Sequence, residues 1–208
     1  MSEILVLVDH ADGVVKKVSL ELLTLARGLG EPAAVVIGSG VDTQPLAEYG
    51  AATIYVADDG ELSNYVVGPK VDVLAQLVTE KSPAAVLVSS SAEGKEVAGR
   101  LAVRLGSGVI TDAVGVAPDL SATQNVFGGA VIVTSKVATG TPIITVRPNS
   151  SPAEAAPAAG TVVPVSVELN ESSKAATITN RVVAQAGGRP ELTEAAIVVS
   201  GGRGVGGE

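Results

Sequence analysis

The sequence predicts an α/β fold built on a mostly parallel sheet. Three observations carry this expectation. Short continuous apolar runs, such as residues 4–8, 33–37 and 84–88, have the texture of strands buried on both faces. Between them lie stretches with apolar residues at helical spacing. Gly and Pro fall at the joints, and strand–helix alternation of this length builds parallel sheets with helices on both sides.

The elements follow in order. Residues 4–8 are the first strand, and Ala11-Asp-Gly13 is a turn. Val18, Leu22, Leu25, Ala26 and Leu29 mark a helix over 18–29, with Gly30 in the stop position. Residues 33–37 are a strand, 43–49 a short helix closed by Gly50, and 53–57 a strand. A helix over 66–79 is punctuated by Ser82-Pro83; 84–88 is a strand, 89–91 a turn, and 92–105 a helix closed by Gly106. After Gly108 the chain becomes β-rich, with strand-like runs at 109–116, 124–127, 130–137, 143–146, 162–169 and 176–184. This second half is expected to extend the first sheet or to add a small antiparallel layer. Residues 150–160 form a Pro/Ala loop, 186–190 read as a linker, and 197–200 as the first strand of a new domain. The domain plan is therefore 1–186, a linker over 187–194, and the start of a second domain over 195–208.

Composition narrows the function. Of 208 residues 46% are apolar, with one Phe, three Tyr and no Trp, so the core is aliphatic and offers few platforms for stacking bases. A net charge of −8 disfavours a nucleic-acid partner. With no Cys and the single His10, the chain has no means for disulfides, thiolate–metal sites or a multi-His centre. Glu3 and the short apolar run after it are unlike a signal peptide, and no stretch reaches the roughly 18 apolar residues of a membrane span. The expectation is a cytoplasmic protein.

Four places carry candidate chemistry. The strongest is Ser200-Gly-Gly-Arg-Gly-Val-Gly206, placed directly after an apolar run. Gly201, Gly202, Gly204 and Gly206 let backbone approach a phosphate, and Arg203 can neutralise it; the competing reading is a flexible glycine tail. No Gly-Lys-Ser/Thr closes this loop, so it is not a Walker loop. A pyrophosphatase loop is disfavoured too, because Val205 stands where Asp-Ser is needed. The second place is Ser89-Ser-Ser-Ala-Glu-Gly-Lys95 at a strand-to-helix turn, either an anion pocket or an N-capping turn with Ser91 as cap. The third comprises Thr111-Asp112 and Thr145-Val-Arg-Pro-Asn149, which suit loop-fixing hydrogen bonds better than catalysis. The fourth is Asp9 beside His10, an acid–base dyad only if a third partner exists.

Four segments, in chain order, resemble the alpha-subunit family of the electron transfer flavoproteins. They are Ile4-Leu-Val-Leu-Val-Asp9-His10; residues 89–95 with Gly108-Val-Ile-Thr-Asp112; Phe127-Gly-Gly-Ala130 with Thr145-Val-Arg-Pro-Asn149; and Val198-Val-Ser-Gly-Gly-Arg-Gly-Val-Gly206. The last is the most specific. The resemblance implies a first domain like the adenine-nucleotide-hydrolase and universal-stress folds. It also implies a Rossmann- or flavodoxin-like second domain that holds most of the FAD. In the family the arginine that matches Arg203 contacts FAD, within the glycines Gly201, Gly202, Gly204 and Gly206. The remaining FAD contacts lie further downstream than residue 208, so the chain is expected to hold an incomplete site and only a stub of the second domain.

The same resemblance implies a heterodimer with a beta subunit, which carries AMP or, in bifurcating relatives, a second flavin. The family passes electrons from acyl-CoA dehydrogenases, as in fatty acid β-oxidation, to a quinone reductase or similar acceptor. It is an electron carrier rather than a self-contained catalyst, and its redox chemistry belongs to the cofactor. The alternative is an adenine-nucleotide-binding regulatory module of universal-stress type, which would end near residue 150.

Overall fold

The computed structural model describes residues 2–182, 190 and 192–206. The strands and α-helices run β1 (Glu3–Leu7), β2 (His10–Ala11), β3 (Val14–Val15), α1 (Lys17–Arg27), β4 (Glu31–Ile37), α2 (Gln44–Glu48), β5 (Thr53–Ala57), α3 (Gly68–Lys81), β6 (Ala85–Ser89), α4 (Ala92–Leu105), β7 (Val109–Val116), β8 (Ala122–Val126), β9 (Val131–Ser135), β10 (Ile143–Val146) and β11 (Thr161–Pro164). Nine strands form one sheet in the order β11-β5-β4-β1-β6-β10-β7-β8-β9. From β11 to β7 every pairing is parallel. β8 and β9 extend the sheet in antiparallel fashion. The expected mostly parallel α/β architecture is what the chain forms, and the β-rich half does both things anticipated of it.

The apolar runs explain the layers. Along β1, Leu5 and Leu7 face a core shared with Val73, Leu74 and Leu77 of α3 and Val97 and Leu101 of α4. Ile4, Val6 and Val8 face the opposite core, shared with Leu22, Leu23 and Ala26 of α1 and Leu46 of α2. A strand buried on both faces cannot alternate apolar with polar, hence its unbroken run. Helix ends are set locally. Ser91 Oγ accepts from Gly94 N at 3.0 Å and caps α4, and Gly106, in the left-handed region at φ 61°, closes it. Ser82, also left-handed at φ 49°, ends α3 ahead of Pro83. Helix α1 stops at Arg27 with Gly28 as its cap, two residues before the expected Gly30.

The strand order places the crevice. From β1 the chain moves one way to β4 and β5, then crosses back to lay β6 on the other side of β1. Successive crossovers diverge there, so a crevice opens beyond the carboxyl ends of β1 and β6.

Three predicted strands differ. The run 162–169 pairs only as β11, because its neighbour β5 ends at Ala57; beyond it Val165, Val167 and Leu169 pack onto the α3–α4 core as irregular chain. The run 176–184 forms no strand among the described residues. It makes one bridge, Thr177 to Tyr65, and residues 183–184 lie outside the description. The run 197–200 is not a strand either: Ile197, Val198 and Val199 are exposed, and among the described residues no strand pairs with them. An apolar run needs a neighbour to complete its hydrogen bonds, and none of these has a full one. Of the expected linker, residues 187–189 and 191 lie outside the description, and 192–194 form a turn. Among the described residues no helix is long and apolar enough to cross a membrane.

Candidate functional site

The carboxyl ends of β1, β6, β7 and β10 bring together residues from three of the four candidate segments. Ser89, buried at the end of β6, donates from Oγ to Asp9 Oδ2 at 2.5 Å. The Asp9 main chain is fixed from α1: its N–H donates to Ser19 Oγ at 2.8 Å. Across the crevice Ser90 Oγ donates to Asp112 Oδ1 at 3.1 Å, Thr145 Oγ1 donates to Ser90 Oγ at 3.1 Å, and Asp112 N donates to Thr145 Oγ1 at 3.0 Å. Arg147 Nη2 donates to Asp112 Oδ2 at 2.5 Å, and Lys95 Nζ lies 3.9 Å from Asp112 Oδ1. The Arg147 contact, helped by Ser90 and Lys95, holds the Asp112 carboxyl below its ordinary range against the opposing effect of burial. The same contact raises Arg147.

This arrangement fixes loops. Both carboxylates accept from side chains of the fold itself, and both cations near Asp112 are drawn to it. His10 does not complete a dyad with Asp9, because its Nε2 lies 2.9 Å from the Ile37 carbonyl oxygen at the end of β4. Ser91 is the helix cap. Seen along the sequence, Asp112 and Arg147 are 35 positions apart; only the insertion of β10 between β6 and β7 makes them neighbours.

The glycine-rich segment lies in the other part of the chain. Gly201 and Gly202 are exposed, and Gly202 is extended (φ −98°, ψ −177°). A single 3₁₀ turn over Arg203–Val205 follows, closed by the hydrogen bond from Val205 N to Gly202 O at 3.1 Å. Gly206 ends the turn in the left-handed region at φ 78°, a conformation that calls for glycine. Among the described residues, a side chain at Gly202, Gly204 or Gly206 would meet no neighbouring atom within 4 Å, whereas at Gly201 it would approach Val205 Cγ2 to 3.3 Å. Among the described residues no hydrogen bond joins it to Asp9, Ser89, Asp112 or Arg147, so the two candidate places do not merge.

A third feature escaped the sequence. Asp72 of α3 is buried and accepts from Asn170 N at 3.0 Å, from Asn170 Nδ2 at 2.9 Å and from Arg104 of α4. Burial alone would raise its carboxyl, but the bonds from Asn170, Ser173 and Arg104 outweigh that and lower it. It clasps the segment after β11 to the helices. An open groove of about 440 Å³ nearby is lined by Gly68, Val71, Gly99, Val103, Arg104 and Ser173. Its two cations are paired within the fold, Arg104 with the buried Asp72 and Arg100 with Glu96 on the exposed face of α4.

Comparison with known proteins bears on the whole chain. A family described as "Electron transfer flavoprotein domain" matches residues 4–172. The chain is 50% identical to the electron transfer flavoprotein subunit alpha of Mycobacterium leprae over 211 aligned residues, covering 99% of this chain and 66% of that protein. It is 52% identical to the protein of the same name from Mycobacterium tuberculosis, with the same coverage. To that of Syntrophomonas wolfei it is 37% identical, over 96% of this chain and 64% of the relative. The chain therefore spans about two thirds of the length of the curated relatives it matches.

Proposed function

Since the chain belongs to the electron transfer flavoprotein family, its sequence aligned throughout with alpha subunits, we propose that it is part of an FAD-dependent electron carrier. The observation that carries the reading is the glycine loop. Gly202, Gly204 and Gly206 leave backbone open where a phosphate-bearing cofactor could lie, and Arg203 is the residue of that loop able to meet its charge. FAD would supply the electron chemistry; this chain's part is to bind and orient it. Residues 200–206 alone would give weak binding, since a flavin needs walls about its ring as well as an anion loop.

In this reading the nine-stranded domain is a platform for assembly with a beta subunit. Phe127, in the turn between β8 and β9, and Ile132 of β9 are 84% and 71% exposed, which supports a second polypeptide there. Acyl-CoA dehydrogenases are the proposed electron donors and a quinone reductase or similar protein the acceptor, in the cytoplasm. The alternative, a nucleotide-binding module of universal-stress type, is disfavoured by the extent of the domain: such a module would end near residue 150, whereas here the sheet takes in β11 at Thr161–Pro164 and Asn170 beyond it is clasped by Asp72.

The test is to co-express a beta subunit with this protein at the full length of its curated relatives, record the visible spectrum of the purified pair, and then add a reduced acyl-CoA dehydrogenase. Flavin that co-purifies and bleaches on reduction supports the proposal. Its absence, together with saturable binding of AMP or ATP by the chain alone, would favour the alternative.

A further inference from the structure

Asn149 stands in the left-handed region at φ 61°, directly after Pro148 and beyond the end of β10. Asparagine tolerates this conformation better than most residues, and here its main-chain N–H and both polar atoms of its side chain are used. Its N–H donates to Glu21 Oε2 at 2.8 Å. Glu21, nearly buried on α1, also lies 3.3 Å from Lys17 Nζ through its other oxygen. Lys17 Nζ in turn donates to Asn149 Oδ1 at 2.6 Å. Lysine can only donate, so the amide oxygen must face it and the amide nitrogen must face away. That nitrogen, Nδ2, donates to the carbonyl oxygen of Thr193 at 3.2 Å.

Lys17, Glu21 and Asn149 thus form a closed ring at the start of α1, and its fourth arm reaches 44 positions along the chain to the turn at 192–194. We propose that Asn149 is a latch that fixes where the segment 192–206 leaves the sheet domain. Only asparagine suits the place. Glutamine would carry the amide one carbon further, and aspartate would set a carboxylate with no donor against the Thr193 carbonyl. The latch involves no cofactor and holds whether or not the glycine loop binds FAD.

The absence of cysteine makes a clean test available. Val103 on α4 and Val199 in the segment are both exposed, and Val103→Cys with Val199→Cys admits a pair of spin labels on the full chain. Pulsed dipolar spectroscopy then reads the distance distribution between segment and domain. The latch predicts one dominant distance in the otherwise native chain. In Asn149→Gly, which keeps the left-handed backbone and the bond to Glu21, the displaced population should rise about fivefold, the weight of one neutral hydrogen bond. Asn149→Asp keeps an acceptor for Lys17 but has no donor for Thr193, and should show the same rise. A distribution unchanged in both variants overturns the latch. So does a change in the glycine variant alone, which would trace the effect to Lys17. Thermal melts report whether each variant keeps the sheet domain folded, and the aspartate variant alone suffices if the glycine variant does not.

Discussion

Arg147 and Asp112 meet at 2.5 Å where β10 lies beside β7, and Asp112 is a left-handed residue, φ 61°, inside a strand. The register between β10 and β7 slips at this point, between Ile144 and Val146. The bulge turns the Asp112 carboxylate toward Ser90 and Arg147, which hold it, while Thr145 Oγ1 accepts from the Asp112 N–H. A strained backbone persists only when its surroundings over-determine it.

Substitution at Asp112 should separate strain from bonding. Asp112→Gly loses the carboxylate contacts but relieves the backbone; Asp112→Ala loses them and keeps the strain. Alanine is expected to be the less stable of the two by about 1–2 kcal/mol. Urea denaturation of the two variants measures this, and an alanine variant as stable as the glycine one would show that the conformation costs nothing.

The pH dependence of stability should trace to Asp72. Its folded carboxyl lies below the ordinary value of 3.8. Between the two values the unfolded chain binds more protons, so stability rises with pH through that window. The contribution is complete above the unfolded value and is lost as pH falls through the folded one. Asp72→Asn should cost about 1–3 kcal/mol near neutrality, because Arg104 and the Asn170 N–H lose their charged partner. The two proteins should converge as pH falls through the folded value. A gap independent of pH would mean that packing, not charge, sets the cost. Asp112 is lowered too, but its half-open side chain is screened by solvent, so its share should be small and should shrink with added salt.

What the sequence made legible follows from what is local. Runs such as Ile4–Leu7 declare strands by themselves, and Ser91 and Gly106 bracket α4 with side-chain and backbone chemistry a few residues long. The 176–184 and 197–200 runs look the same on paper. Whether they pair depends on a free sheet edge, which is a property of the whole fold. The site divides likewise. Asp112 and the Thr145–Asn149 segment were visible as polar clusters at strand ends, but their union depends on β10 entering between β6 and β7. Asp72, Arg104 and Glu21 gave no signal, because a charged residue on an amphipathic helix reads as solvent-facing until its distant partner is known.

Two glycines of α4 should respond oppositely to alanine. A methyl at Gly94 would come within 2.0 Å of the Ser89 carbonyl oxygen, which belongs to the backbone and cannot turn aside. A methyl at Gly99 meets nothing within 4 Å among the described residues. Gly94→Ala should therefore destabilise by about 1–3 kcal/mol and loosen Ser89 from Asp9. Gly99→Ala should stabilise by about 1 kcal/mol, the helix propensity difference. Thermal denaturation of both decides it, and a Gly94→Ala protein as stable as the wild type would show that α4 can shift off β6 at little cost.

The proposed cofactor loop is tested most directly at Arg203. A guanidinium in a glycine turn can reach a phosphate or the negative charge of a reduced flavin, and a charge-assisted contact of this kind contributes about 1.5–3 kcal/mol. Arg203→Ala should then weaken FAD binding by roughly ten- to a hundredfold. Arg203→Lys should recover only part of this, because an ammonium keeps the charge and loses the planar fork. The sheet domain should keep its melting temperature in both variants, since among the described residues no hydrogen bond ties residues 200–206 to it. FAD titrated into the full-length apoprotein assembled with its beta subunit gives the dissociation constants. If all three proteins bind equally, Arg203 takes no part in holding the cofactor, and the site must be sought in residues other than this loop.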